Sequence, residues 1–246
     1  GGSRGNSMIA AAISAPPTLS PYNEDGSYRI LSTAYPFIAT DIRNPINFIN
    51  ERKSMIKANV LLANLGLSYK ITPDLTLKVT GGIENRDDRT DNYTTRKYYN
   101  SNGIASAYSG QFTSLLNENT LNYIKTLGEK HSINAVAGVT FQNFLQTRIE
   151  AGGTGFLSDI FETYNIQAAA NQNVSESGYI KWVLASFIGR VNYVYDNRYL
   201  LTASIRRDGA SVYSPGSKWG YFPSAAFAWR VSNEDFLVDN RVISDL

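Results

Sequence analysis

The chain has 246 residues, with 23 Lys and Arg against 21 Asp and Glu for a net charge of +2, one His and no Cys. A balance so close to neutral argues against a protein whose work is gripping a polyanion such as nucleic acid, and the missing Cys rules out disulfides and thiolate metal sites. Only 18% of residues are charged while 12% are aromatic, with 16 Tyr and 19 Gly, which is the composition of a β protein.

The first fifty residues read as loop. Pro16, Pro17, Pro21, Pro36 and Pro45 are five of the eight prolines, one helical turn fits Met8–Ser14, and the Asp25-Gly26 step in YNEDGSY (22–28) signals a turn. No run of 18 apolar residues occurs, so a transmembrane helix is excluded. The start lacks a basic region followed by an apolar core, and residues 241–246 form no evident element. The expectation is therefore an internal piece of a longer polypeptide.

From Ser54 the texture changes to period-two alternation, and seven strands are predicted. The first, about 56–71, puts Leu61, Ala63, Leu65, Leu67, Tyr69 and Ile71 on one face and Asn64, Gly66, Ser68 and Lys70 on the other. Thr72-Pro73-Asp74 turns it into a second, with Leu75, Leu77, Val79 and Ile83 against Thr76, Lys78, Thr80 and Glu84. The third lies near 112–126. Gly128-Glu129-Lys130 leads to the fourth, where Ile133, Ala135, Ala137, Val139 and Phe141 alternate with Asn134, Gly138, Thr140 and Gln142. The fifth and sixth form a hairpin at Asp196-Asn197, with Arg190, Asn192, Thr202, Ser204 and Arg206 on the polar side. The seventh covers about 219–231.

Strands of ten or more residues exceed what soluble sheets need and match the 9–11 residues of a tilted membrane-crossing strand. Turns at 72–74, 128–130 and 196–197 are short, whereas 86–110 and 148–180 read as long polar connections. Short turns at one end and long loops at the other is the outer-membrane barrel pattern. Tyr69, Tyr123, Tyr193, Tyr195, Tyr199 and Trp229 cluster near the short-turn end, as an interfacial girdle would. A soluble sheet that binds carbohydrate, or an adhesin, shares the alternation and stays open as an alternative, as does a passive porin.

Catalytic chemistry finds little support. His131 is the single histidine and sits beside a turn, and no nucleophile elbow occurs. The carboxylate pairs Asp87-Asp88, Glu234-Asp235 and Asp159 with Glu162 read as solvated loop charges, although paired acids can serve glycoside hydrolysis. Asp87, Asp88 and Asp91 offer oxygen ligands to calcium without the regular spacing of a calcium loop. Gly153-Thr154-Gly155-Phe156 lacks the Lys and the strand-loop-helix setting of a phosphate loop. No enzyme activity, cofactor or metal is expected.

The stretch from Arg190 to Phe236 strongly resembles the barrel signature of SusC/RagA-type TonB-dependent transporters of Bacteroidetes outer membranes. The elements are Asn192–Ser211, with Asp208 and Gly209; Trp219-Gly220-Tyr221-Phe222-Pro223-Ser224; and Trp229–Phe236, with Trp229 and Arg230. APPTLSPYNEDGSY (15–28), Asn44-Pro45 and LGEKHSINAVAGVTFQ (127–142) fit as well. Val212-Tyr213-Ser214 departs from the Arg-Phe-Gly that the family commonly has. The resemblance implies an all-β, antiparallel fold: about seven strands of a 22-stranded transmembrane barrel closed by a plug. Residues 1–53 would form an outer-loop region and 54–246 part of the wall, with the plug and the TonB box upstream of this sequence. It implies import of glycan oligosaccharides, or of peptides in some members, driven through TonB. A SusD-like surface lipoprotein would serve as lid, outer-membrane lipid would surround the barrel, and no nucleic acid would be involved. Asn64, Lys78, Asn134, Gln142, Arg190, Asn192 and Arg206 would face the lumen.

Overall fold

The computed structural model describes residues 8–34 and 42–237, so the expectations for Pro36 and for residues 241–246 lie outside the described residues. One antiparallel sheet dominates. Its strands are β1 (Arg52–Thr72), β2 (Leu75–Thr94), β3 (Ile104–Leu127), β4 (His131–Thr154), β5 (Asn171–Gln172), β6 (Glu176–Tyr195), β7 (Tyr199–Ala210) and β8 (Trp219–Trp229). The order is β1-β2-β3-β4-β6-β7-β8, with the two-residue β5 pairing to β4, so the sheet is an open meander whose edges are β1 and β8.

The strands run further than the alternation predicts. β2 continues to Thr94 and β3 starts at Ile104, which leaves 95–103 as the connection where 86–110 was expected; β4 likewise continues to Thr154. Through Arg86-Asp87-Asp88-Arg89 both faces carry polar side chains, so the backbone ladder persists where the apolar signal is lost. β1, β2, β3, β4 and β6 are 20 to 24 residues long, about four times an ordinary strand.

Turn chemistry matches the residues present. Asp196 and Asn197 both take the left-handed conformation, at φ 50° and 51°, the pair of values that a two-residue hairpin needs to match strand twist and that Asp and Asn tolerate. Gly128 takes φ 61° in the β3–β4 turn. In the β1–β2 turn Asp74 accepts a backbone bond from Ile124 at 2.8 Å and pairs with Lys125 at 2.9 Å.

The chain divides into two compact units: one from the chain up to Asn59 with Asp87–Gln111 and Thr147–Tyr179, the other from Val60–Arg86, Phe112–Gln146 and the chain from Ile180 onward. In the first, the expected helical turn is α1 (Met8–Ser14), followed by α2 (Leu31–Ala34) and α3 (Pro45–Glu51). The Asp-Gly turn also forms, with Gly26 at φ 79° and Asn23 N–H donating to Ser27 O at 2.9 Å. Asn44 is its junction. Its Oδ1 caps α3 by accepting from Ile46 and Asn47 N–H at 3.1 and 3.3 Å, while Nδ2 donates to Pro21 O at 2.6 Å and Arg29 O at 3.1 Å. Pro45 follows at the first helical position, where its fixed φ suits the helix and no N–H is missed. A small core of Tyr93, Ala105, Phe156 and Ala169 lies in the same unit, with the Tyr93 hydroxyl donating to Asp159 at 2.8 Å.

In the second unit a carboxylate ties the end of β8 to the β6–β7 turn. Glu234 accepts from Tyr199 OH at 2.7 Å, Trp229 Nε1 at 2.9 Å and Arg198 Nη1 at 2.8 Å, and Asp235 takes the other Arg198 nitrogen at 2.7 Å. Arg230 N–H donates to Arg198 O at 2.7 Å, and Asn233 Nδ2 to Asn197 O at 2.9 Å. Bonds from Tyr199 first, then Trp229, hold the Glu234 carboxyl below its ordinary range.

Two outcomes follow from these anchors. Asn44→Ala should cost about 1–3 kcal/mol locally, since it removes a cap and leaves two inward carbonyls without a donor; faster hydrogen exchange at the Ile46 and Asn47 amides reads this. Because Glu234 is held low, its anchoring is fully present above the ordinary carboxylate pKa and weakens as pH falls below about 4.5. The Trp229 indole N–H resonance should move over that acid range, and the movement should vanish in Glu234→Gln.

Candidate functional site

The two sheet faces differ chemically, and side-chain contacts follow one parity across the second unit. On the even-numbered face a Cβ at Gly82 would meet Asn64 and Leu116, one at Gly66 would meet Thr80 and Lys78, and one at Gly138 would meet Thr120 and Ile188. Gln142 Nε2 donates to Ser114 at 3.0 Å, Thr202 to Asn192 Oδ1 at 2.9 Å, and Ser204 and Ser224 hydroxyls meet at 2.7 Å. Arg206 bonds Asp208 through Nε at 2.8 Å and Ser186 through Nη2 at 3.1 Å, and Arg190 stands opposite Ser204. Alternation along β4 adds Asn134 to the face that holds Gln142. Asn64, Lys78, Asn134, Gln142, Arg190, Asn192 and Arg206 therefore share one face.

That face is not purely polar. Phe144 and Trp182 stack at 4.8 Å with Phe112 against both, at 6.2 and 6.3 Å. Sequence reasoning passed over these three because each is isolated in its own strand; only cross-strand register gathers them.

The odd-numbered face is largely apolar and uncovered, with Asn85 and Thr113 and, further along β3, Asn117 and Asn119 as hydrogen-bonded exceptions. Leu61, Leu65, Leu67 and Phe227 are 56–68% exposed, and among the described residues no second layer lies over Leu61, Leu77, Ala137 or Phe227. Two aromatic levels bound it. Tyr195, Tyr199 and Trp229 are paired in register and stack at 6.3 Å; His131, beside them, bonds Tyr193 OH at 2.6 Å. Eight residues along, Phe187, Arg207 and Tyr221 are paired in register. There Phe187 packs on Phe141 and Trp219, while the Arg207 guanidinium lies 4.3 Å from the Trp219 ring centre and 5.2 Å from that of Tyr221. Between the levels run Leu201, Ala203 and Ile205 opposite Phe227, Ala225 and Pro223. Eight residues at about 3.3 Å make roughly 26 Å along the strand, or about 20 Å along the normal at a tilt near 40°, against an apolar band of about 25 Å in such barrels. The alternation anticipates the first level alone; it puts Tyr221 on the side of the seventh strand that carries Phe227 and Trp229 without revealing a second level there.

The remaining motif residues are structural in their contacts. A Cβ at Gly209 would come within 2.6 Å of the Trp219 ring, and one at Gly220 within 2.9 Å of Phe222. Pro223 stands opposite Ile205, and Arg230 reaches Asn197 Oδ1.

The first unit holds a cleft of about 640 Å³ between the hairpin at 22–28, α3 and the β2–β3 connection. Tyr22 stacks on Tyr28 at 5.6 Å, and Arg43 lies 4.7 Å from the Tyr99 ring centre. Burial lifts the Tyr28 phenol above its ordinary range as it donates to Glu51 at 2.8 Å. The calcium option for Asp87, Asp88 and Asp91 is not supported: Asp91 is buried against Arg89 at 2.9 Å, and no group of three acidic or His side chains that could hold a metal occurs among the described residues. No helix among them is long and apolar enough to cross a membrane.

No family model matches the chain. Curated relatives do. The TonB-dependent receptor P3 of Formosa agariphila is 30% identical over 247 residues, covering 99% of this chain and 24% of that protein. The TonB-dependent receptor SusC of Bacteroides thetaiotaomicron is 30% identical over 216 residues, covering 83% and 20%. Among solved structures, the RagAB peptide transporter superposes with a TM-score of 0.79 at 21% identity over 92% of this chain and 25% of that one, a likeness of fold. The chain spans about a quarter of the length of the curated relatives it matches. Over that stretch it belongs to the SusC/RagA-type TonB-dependent receptors.

Proposed function

We infer that residues 54–246 form part of the wall of an outer-membrane barrel, in a transporter that imports oligosaccharides, or peptides as the name of the RagAB transporter indicates for that protein. The even face lines the lumen against a plug, and the odd face meets lipid. The short turns point to the periplasm, and residues 1–53 with the connections 95–103 and 155–175 point outward toward substrate and a SusD-like lid. TonB would engage a part of the protein outside this segment. No reaction is assigned to it.

The observation that supports this most directly is the bounded apolar band. Aliphatic residues without a protein cover lie between two aromatic levels on one face, while hydrogen-bonded polar side chains occupy the other. An open edge in lipid would leave backbone groups unpaired at several kcal/mol each, so β1 and β8 require further strands beside them.

Neighbours in sequence on opposite faces supply the test. In the full-length protein, Ala203→Arg, midway between the aromatic levels on the odd face, should destabilise the folded barrel by about 2–4 kcal/mol in denaturant titrations in lipid. Ser204→Arg, one residue on, should cost much less. Equal losses would overturn the face assignment. This segment has no Cys, so single cysteines placed in it and labelled with a fluorophore, with any Cys elsewhere in the full-length protein replaced, give a second readout. Labels at Leu65 or Phe227 should be quenched by lipid-borne quenchers and labels at Asn64 or Thr202 by aqueous ones.

A further inference from the structure

The outer cleft has a charge pattern that the import function alone does not specify. Arg29, Arg43 and Lys97 border it, and none of the three is in an ion pair among the described residues. Glu51, the carboxylate on its lining, has both oxygens engaged, one by Tyr28 and one by Thr95. Among the described residues three cations thus border one concavity, and both oxygens of the one carboxylate on its lining are already hydrogen-bonded. Arg43 is held in place by its stacking on Tyr99, and Asn44 and Asn47 spend their amides on backbone groups beneath it. The floor is therefore fixed before any ligand arrives, and the cleft volume of about 640 Å³ is in the range of small-ligand sites.

The aromatic groups narrow the ligand further. Tyr22 rests on Tyr28 at 5.6 Å and remains 40% exposed, which leaves part of the residue available to a ligand. The negative face of such a ring attracts polarised C–H groups, which a pyranose presents as a flat surface. Guanidinium groups bind carboxylate or sulfate in a two-point fork. An extended peptide would instead seek a free strand edge, whereas this lining offers side chains.

We propose that the cleft is a binding subsite for an anionic oligosaccharide, one whose sugars carry carboxylate or sulfate groups; this rests on the import function inferred above. Arg29 and Lys97 supply the charge contact, Arg43 a preset one, and Tyr22 the stacking surface.

The test uses the full-length transporter in detergent micelles and calorimetry with four probes. These are tetragalacturonate, its fully methyl-esterified form, a chondroitin sulfate tetrasaccharide and tetraglutamate. At least one anionic sugar should bind ten-fold or more tightly than the esterified, neutral one, and the two anionic arms separate carboxylate from sulfate recognition. Arg29→Gln and Lys97→Gln should each weaken that binding about ten-fold, and Tyr22→Ala should weaken it several-fold. Arg29 and Lys97 make no ion pair among the described residues, so the variants should keep the parent's heat-modifiable gel mobility. Equal binding of neutral and anionic sugars would overturn the proposal while leaving glycan import standing. Tetraglutamate as the tightest probe, no binding by any probe, or binding untouched by the three substitutions would each overturn it as well.

Discussion

Everything else in this molecule depends on a ladder of backbone hydrogen bonds that keeps one parity along the path β1-β2-β3-β4-β6-β7-β8. Because side chains alternate along a strand, a one-residue slip between any two neighbours would carry the rest of the sheet's residues to the wrong face. The contacts Asn64–Gly82, Gln142–Ser114, Asn192–Thr202 and Ser204–Ser224 all join even numbers, so the ladder runs without such a slip through the second unit. The short turns enforce it. Asp196-Asn197 in left-handed conformation admits one register for β6 and β7, and Glu234 fixes the end of β8 against that turn.

Much of this was legible in the residues. Leu61 to Ile71 and Leu75 to Ile83 announce their faces because half of each strand is apolar, and the signature around Asp208-Gly209 and Trp219–Ser224 gave the family. The true reach of the strands was not legible. Alternation is a record of burial difference between two faces, and around Arg86–Arg89 that difference disappears while the backbone ladder continues. The aromatic groupings were hidden for another reason. Phe112, Phe144 and Trp182, or Phe187, Trp219 and Tyr221, lie far apart in sequence, and only pairing brings them to one level.

The segment before β1 follows a different rule. It has no alternation to read, and its order comes from polar side chains that satisfy backbone groups. Asn44 binds four of them, and Asn47 reaches across to Lys97 O and Tyr99 N–H. Amide side chains used in this way add to a small apolar core in rigidifying the loops, and cations and ring faces stay on the surface.

Gly209 carries a last consequence. Its missing side chain is the space in which the Trp219 indole lies, and that indole in turn covers Arg207. The motif is thus a piece of carpentry: Gly209, Trp219 and Arg207 make one joint between β7 and β8. A likeness carried by such a joint speaks for how the sheet is built and says nothing of what it handles.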